Sequence, residues 1–236
     1  MLEGKRIVII GGSSGIGLAV ARAALNEDAS VVIASSTESK VRAACESLGT
    51  GACGRCVDLR SEESIASFFA AQAPFDHLVH TAGEWTRYRN SAGKDFSLEQ
   101  AQAAYHVRFW SILLCLKHGL DKLARDGSVT LTAGLLAHRP SKGQALSTAL
   151  MGGVEHLTRG LAIDVSPVRV NAVTPGFIDT EAWAGMPDDA KENLTKHQPV
   201  PRPGDPDEVA QAYLYFMKAR YTTGQTAIVD GGRLFA

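Results

Sequence analysis

The chain has 236 residues, a formal net charge of −1, 45% hydrophobic residues and 21% charged ones. That length suits one α/β domain able to bury roughly 70–75% of its unfolded surface, and the near-zero charge offers no basic field to nucleic acid or anionic lipid. No apolar run approaches the roughly 18–20 residues of a membrane span, and the first strand follows Met1 too closely for a signal peptide, so a cytoplasmic location is expected.

Strand-like runs alternate with helical periods along nearly the whole chain. The strands are predicted at Arg6–Ile10, Ser30–Ala34, Cys53–Val57, His77–His80, Ser128–Thr132, Arg169–Val173 and Thr226–Val229. Between them the apolar spacing predicts helices at Gly15–Leu25, Lys40–Leu48, Glu62–Gln72, Leu98–Leu123, Ala145–Val165 and Asp207–Lys218. This alternation implies βαβ units, hence an α/β fold: a single Rossmann-type, doubly wound parallel sheet of about seven strands spanning residues 1–236. The segment from Phe177 to Gly204 carries four prolines and is too long for a routine connection, which makes it a candidate lid over a substrate. Cys53-Gly54-Arg55-Cys56 has redox or zinc-site spacing, but no second pair completes a metal shell; the structural reading, a strand entering the core, is preferred and no metal is expected.

The strongest local signal is Ile7-Val8-Ile9-Ile10-Gly11-Gly12-Ser13-Ser14-Gly15-Ile16-Gly17. A buried strand ends in a glycine-rich turn and a helix starts at once. Glycines let the backbone turn tightly and approach a pyrophosphate without an intervening Cβ. The helix start then offers N–H groups and the positive end of its dipole to the phosphates, and Ser13 and Ser14 add hydroxyl donors.

The spacing Gly11, Gly15, Gly17 resembles the GxxxGxG turn of the short-chain dehydrogenase/reductase family, with Ile10 where that family usually has Thr. The likeness continues in order along the chain. Val57-Asp58-Leu59 resembles the strand end that holds the adenine. His80-Thr81-Ala82-Gly83 stands where the family reads Asn-Asn-Ala-Gly. Arg169-Val170-Asn171-Ala172-Val173-Thr174-Pro175-Gly176 is close to its RVNxVxPG, and Val229-Asp230-Gly231-Gly232 is similar to its last strand and turn. The resemblance implies cofactor contacts from Gly11, Ser13, Ser14, Gly15, Ile16 and Gly17, from Asp58 and Leu59, from Thr81, Ala82 and Gly83, and from Pro175, Gly176 and Ile178. It also implies a homo-tetramer or homo-dimer, joined through the helices at Leu98–Leu123 and Ala145–Val165.

Cofactor choice turns on the tip of the second strand. An NAD site would present an acidic side chain there to the ribose 2′-OH. This chain has Ser35, Ser36 and Thr37, able to donate to a 2′-phosphate, with Lys40 one turn onward. The arginine common in NADP-binding relatives is missing at Ser36 and Glu38 opposes a phosphate, yet the balance favours NADP over NAD.

The resemblance also fixes where the family's catalytic Asn, Ser, Tyr and Lys should stand, and all four are changed. Arg108 takes the Asn position, Gly134 (beside Ala133) the Ser position, Ser147 the Tyr position and Met151 the Lys position. A tyrosine activated by a nearby ammonium delivers a proton near neutral pH; an aliphatic hydroxyl without that charge does not. Lys142, in the preceding loop, does not restore the motif. Arg108 is therefore the informative residue: near a nicotinamide it could stabilise an oxyanion, hold a carboxylate, reach a phosphate or fill space. His80, His106 and His138 are candidate replacement acids, with ordinary packing preferred for the first two, and Trp85, Tyr88, Phe177 and Trp183 could line an apolar pocket. Arg108 and Ser147 are the catalytic candidates, and three readings stay open: an oxidoreductase with an altered site acting on a small carbonyl or alcohol, a dinucleotide-binding protein without turnover (a sensor or partner subunit), and a non-redox enzyme using Arg108 electrostatically.

Overall fold

A computed structural model describes residues 1–83, 93–94 and 96–236. Among them seven strands form one all-parallel sheet: β1 (Arg6–Ile10), β2 (Ser30–Ser35), β3 (Ala52–Cys56), β4 (Phe75–His80), β5 (Leu123–Thr132), β6 (Arg169–Pro175) and β7 (Thr226–Val229). Their order is β3-β2-β1-β4-β5-β6-β7. The chain thus winds outward from β1 in one direction, returns to β4, and winds outward in the other. Where such a reversal falls, neighbouring strands send their connections to opposite faces, and a crevice opens beyond their carboxyl ends.

The buried strands are continuous apolar runs because both faces are covered. Val8, Ile10, Val32, Leu78, Val129 and Val170 form one core with α3 (Glu62–Ala70), α5 (Ser111–Gly119) and α6 (Ala145–Asp164). Ile7, Ile9, Val31, Ile33 and Val79 form the other, beneath α1 (Gly15–Leu25), α2 (Glu38–Leu48) and α8 (Pro206–Lys218). Helix starts follow local chemistry: Asp205 and Glu208 make a capping box around Pro206 at the first turn of α8, and the Ser61 side chain accepts from the Ser64 N–H at the start of α3. No helix among the described residues is long and apolar enough to cross a membrane.

Three sequence expectations are modified. The single helix predicted over Leu98–Leu123 is α4 (Leu98–Tyr105), a π-turn at His106–Trp110, and α5, followed by a 3₁₀ turn that leads into β5. The 177–204 segment is not an irregular excursion: it holds a 3₁₀ turn at Glu181–Trp183 and the helix α7 (Asp188–Thr195). Its ends are clamped together, since Gly204 N–H donates to the Phe177 carbonyl and Asp179 N–H to the Gly204 carbonyl, each at 2.9 Å. Finally, Cys53 and Cys56 do not enter the core; they are exposed on β3, at the sheet edge, and burial begins only at Val57.

β4 carries two buried histidines. His77 Nδ1 lies 2.9 Å from Ser128 Oγ and His80 Nε2 lies 2.8 Å from Ser111 Oγ. Burial pulls His77 down to about 4; burial and then the Arg108 charge pull His80 down to about 3. Between pH 6.5 and about 4 the folded chain therefore binds fewer protons than the unfolded chain, so stability falls as the pH falls through that window. Each histidine contributes a slope of up to roughly 1.4 kcal/mol per pH unit. Urea unfolding at pH 7, 6, 5 and 4.5 should show this decline, flattened in His77→Asn and His80→Asn; a stability independent of pH across that range would contradict it.

Candidate active site

The turn that ends β1 sits at the sheet's reversal point. Gly11 has φ +90° and Gly15 φ +50°, a region open to glycine and costly for other residues. A Cβ on Gly17 would fall 2.2 Å from the Gly11 carbonyl oxygen and 2.5 Å from Thr81 Oγ1, so the first turn of α1 lies directly on the strand end. Thr81, just past β4, ties the two strands together: its hydroxyl lies within reach of the Ile10 and Gly11 carbonyls, at 3.1 and 3.2 Å, and Ala82 N–H donates to Ile10 at 3.1 Å. Ser14 caps α1 in extended conformation with no side-chain hydrogen bond to the helix, and that first turn contains no acidic residue.

Because the sheet is all parallel, the other predicted cofactor residues gather at the same edge. Ser35 ends β2, while Ser36, Thr37 and Lys40 are exposed at the start of α2, and the Thr37 side chain makes no capping bond. Asp58 and Leu59 follow β3; Asp58 Oδ1 accepts from the Arg60 N–H at 2.9 Å and Leu59 is buried. Pro175 ends β6, and Gly176 is packed so closely on the end of β7 that a Cβ there would meet Asp230 Cα at 2.6 Å. Ile178 is buried in the core, its Cδ1 2.7 Å from where a Cβ on Gly204 would stand.

Arg108 lies within the π-turn, the one-residue irregularity that commonly marks functional helices. It is 8% exposed, and its guanidinium lies flat against Gly83, where a Cβ would meet Nη2 at 2.0 Å. Arg108 Nη1 donates toward Met151 Sδ at 3.8 Å, and Met151 Sδ in turn would lie 3.0 Å from a Cβ on Gly134. Burial pulls the guanidinium down to about 10, which leaves it a cation at neutral pH. Gly83, Arg108, Met151 and Gly134 thus form one contiguous cluster, although they come from four separate elements. Ser147, one turn before Met151 on α6, donates to Gln144 Oε1 at 3.1 Å.

The three histidines separate cleanly. His80 is enclosed: Ser111 hydroxyl donates to the Val107 carbonyl at 2.6 Å, so His80 Nε2–H donates to Ser111. His106 has a buried Nε2 with no hydrogen-bond partner among the described residues. His138 is partly exposed and its Nε2 lies 2.8 Å from Glu155 Oε1, which also accepts from the Thr174 hydroxyl at 2.6 Å. Glu155 is 3% exposed, one turn beyond Met151 on the same helix; in the sequence it reads as an ordinary helical acid. Phe177 and Trp183 pack edge to face at 4.9 Å, whereas Trp85 and Tyr88 lie outside the described residues.

One contact at the glycine turn has no precursor in the sequence pattern. Gly15 N–H donates to Glu181 Oε2 at 3.1 Å, and a Cβ on Gly15 would touch the Thr180 side chain at 3.2 Å. A sequence separation of 166 hides it from any local reading.

Comparison with known proteins adds the family. A family model described as enoyl-(acyl carrier protein) reductase matches residues 11–233. The short-chain dehydrogenase/reductase fsr5 of Gibberella fujikuroi is 34% identical over the whole chain and 96% of its own length. Among solved structures, the MalC reductase/Diels–Alderase of Malbranchea aurantiaca superposes with a TM-score of 0.90 at 31% identity, covering 99% of this chain and 97% of that one. A small-chain dehydrogenase in complex with NADPH matches with a TM-score of 0.80 at 29% identity, covering 99% and 100%. With its glycine turn, strand order and these full-length likenesses together, the chain belongs to the short-chain dehydrogenase/reductase family.

Proposed function

We propose that the protein is an NADPH-dependent oxidoreductase of small carbonyl or alcohol compounds whose active site works through Arg108 instead of an activated tyrosine. The carrying observation is the buried guanidinium packed between Gly83 and Met151. The family's acid–base positions fall on Gly134, Ser147 and Met151, which supply neither a phenol nor an ammonium.

The residues fit a dinucleotide. The Gly11–Gly17 cradle leaves no room for a Cβ at its key glycines, the α1 start carries the positive end of its dipole, and Ser35, Ser36, Thr37 and Lys40 offer donors to a 2′-phosphate. The NADPH complex of a structural relative supports the same choice. When bound, NADPH supplies the hydride. Arg108, still protonated, donates to the acceptor oxygen and stabilises the negative charge that grows there, and a water molecule supplies the proton that turns the alkoxide into the alcohol. Burial strengthens that interaction by excluding water from the guanidinium. The Phe177–Gly204 segment, hinged at its clamped ends, covers the substrate, and Phe177 and Trp183 give it an apolar lining. Assembly as a homo-oligomer through α5 and α6 is supported by Trp110 and Ile163, which are 50% and 78% exposed on those helices and the adjoining turn.

A second reading draws on one observation. A site with a charged hydrogen-bond donor and neither phenol nor ammonium also suits a cycloaddition, which transfers no proton and is accelerated when a carbonyl on one reactant is polarised. The similar MalC protein is named for both activities, reductase and Diels–Alderase.

Two experiments bear on this. Arg108→Met should lower kcat/KM for NADPH-dependent carbonyl reduction by about 10²–10³ while cofactor affinity changes little, as for loss of an oxyanion donor; unchanged turnover would exclude Arg108 from the chemistry. Restoring the family residues tests the cluster's charge logic. Ser147→Tyr with Met151→Lys sets an ammonium against the Arg108 guanidinium, so the double variant should be destabilised and inactive as a proton relay, whereas adding Arg108→Asn and Gly134→Ser should recover stability and raise reductase activity. Equal behaviour of the double and quadruple variants, in thermal melts and NADPH oxidation, would show that the two charges do not interact.

A further inference from the structure

The anion-binding end of α1 is already engaged by a carboxylate of the same chain. Glu181 Oε2 accepts the Gly15 N–H at 3.1 Å, and Thr180 rests on Gly15 Cα. Gly15 begins α1, and the first turn of that helix contains no acid and no side-chain cap of its own. A carboxylate there satisfies an orphan backbone donor and the positive end of the dipole, as a phosphate would. Glu181 is delivered by the 3₁₀ turn at Glu181–Trp183, inside a segment whose two ends meet at the Phe177–Gly204 clamp. The segment is internally braced as well, by Lys191 Nζ to Asp179 Oδ1 at 2.9 Å and by the Phe177–Trp183 stack. Its second half is tied to the C-terminal turn, by Val200 N–H to the Gly231 carbonyl at 2.9 Å and by Arg233 to the Leu194 carbonyl, so the part that can swing away with Glu181 is the first half, around the 3₁₀ turn.

We propose that Glu181 is a latch: its carboxylate holds the 177–204 segment down on the glycine turn and must leave Gly15 before a dinucleotide diphosphate can settle there. This rests on the dinucleotide site assigned above. Two anions cannot share one N–H, and a diphosphate beside an undisplaced carboxylate would suffer like-charge repulsion, so cofactor entry and opening of the segment are coupled. Binding energy of the cofactor is spent partly on releasing the latch, which lowers apparent affinity by the fraction of molecules in the closed form. Thr180, freed from Gly15 by the same motion, becomes available to the incoming ligand.

The test compares wild type, Glu181→Gln and Glu181→Ala by calorimetric titration with NADPH, alongside thermal melts with and without it. Removing the carboxylate should tighten NADPH binding roughly 2–5-fold, the scale of a charge at a solvent-exposed helix start. The same variants should melt at lower temperature without cofactor and gain a larger increment when it is added. Hydrogen exchange at residues 177–204 provides an independent readout: NADPH should raise exchange around Glu181 in the wild type. Unchanged or weakened NADPH binding in both variants overturns the latch. Absence of NADPH binding in all three proteins would instead overturn the dinucleotide site, and with it the latch.

Discussion

Everything in this molecule is organised by one steric fact, the near-contact of Gly17 with the carbonyl of Gly11. With 2.2 Å to a hypothetical Cβ, α1 can start only a turn away from the end of β1, and its first N–H groups point into the crevice at the sheet's reversal. Thr81 locks β4 to the same carbonyls, so the strands on either side of the reversal share one rigid corner. Parallel pairing then brings the ends of β2, β5 and β6 to the same edge, and each loop that follows inherits a fixed position relative to the glycine turn.

In the site proposed around that corner, one kind of electrostatics stands in place of another. A phenol–ammonium pair stores a mobile proton; a buried guanidinium stores a fixed positive charge and gives up no proton near neutral pH. The consequences spread to the neighbours. Arg108 leaves no room for a second cation at Met151, helps keep His80 neutral, and needs Gly83 bare, because any side chain there would strike the guanidinium. The residues at positions 83, 108, 134 and 151 make sense as a set, since each accommodates the next.

Much of the fold is legible in the chain because it is written in local patterns. β1, β7 and α1 begin and end where the apolar periods and glycines say they should, and the parallel sheet follows from the βαβ alternation. The departures have identifiable physical reasons. The π-turn around Arg108 adds a residue per turn without any glycine or proline to announce it, so the pattern reads as one continuous helix. The CxxC has the look of a strand entering the core, but a sheet edge exposes residues that a central strand would bury. The helix in the 177–204 segment is short and polar, with Thr195 its one buried residue, so it carries almost no periodic signal. At the site itself the glycine turn is legible as a motif. The Glu181–Gly15 and Glu155–His138–Thr174 contacts are not, because each joins residues distant in sequence through side chains of unremarkable type.

If a cation, in place of a proton-delivering phenol, supports hydride transfer in this site, the transferred hydride itself can be followed. Incubating the protein with C4-deuterated NADPH and a carbonyl panel, then weighing products by mass spectrometry, tests this most directly. One deuterium on the former carbonyl carbon, lost when Arg108 is replaced, is the predicted outcome. Products that form without acquiring deuterium, or deuterium transfer indifferent to Arg108, would contradict it.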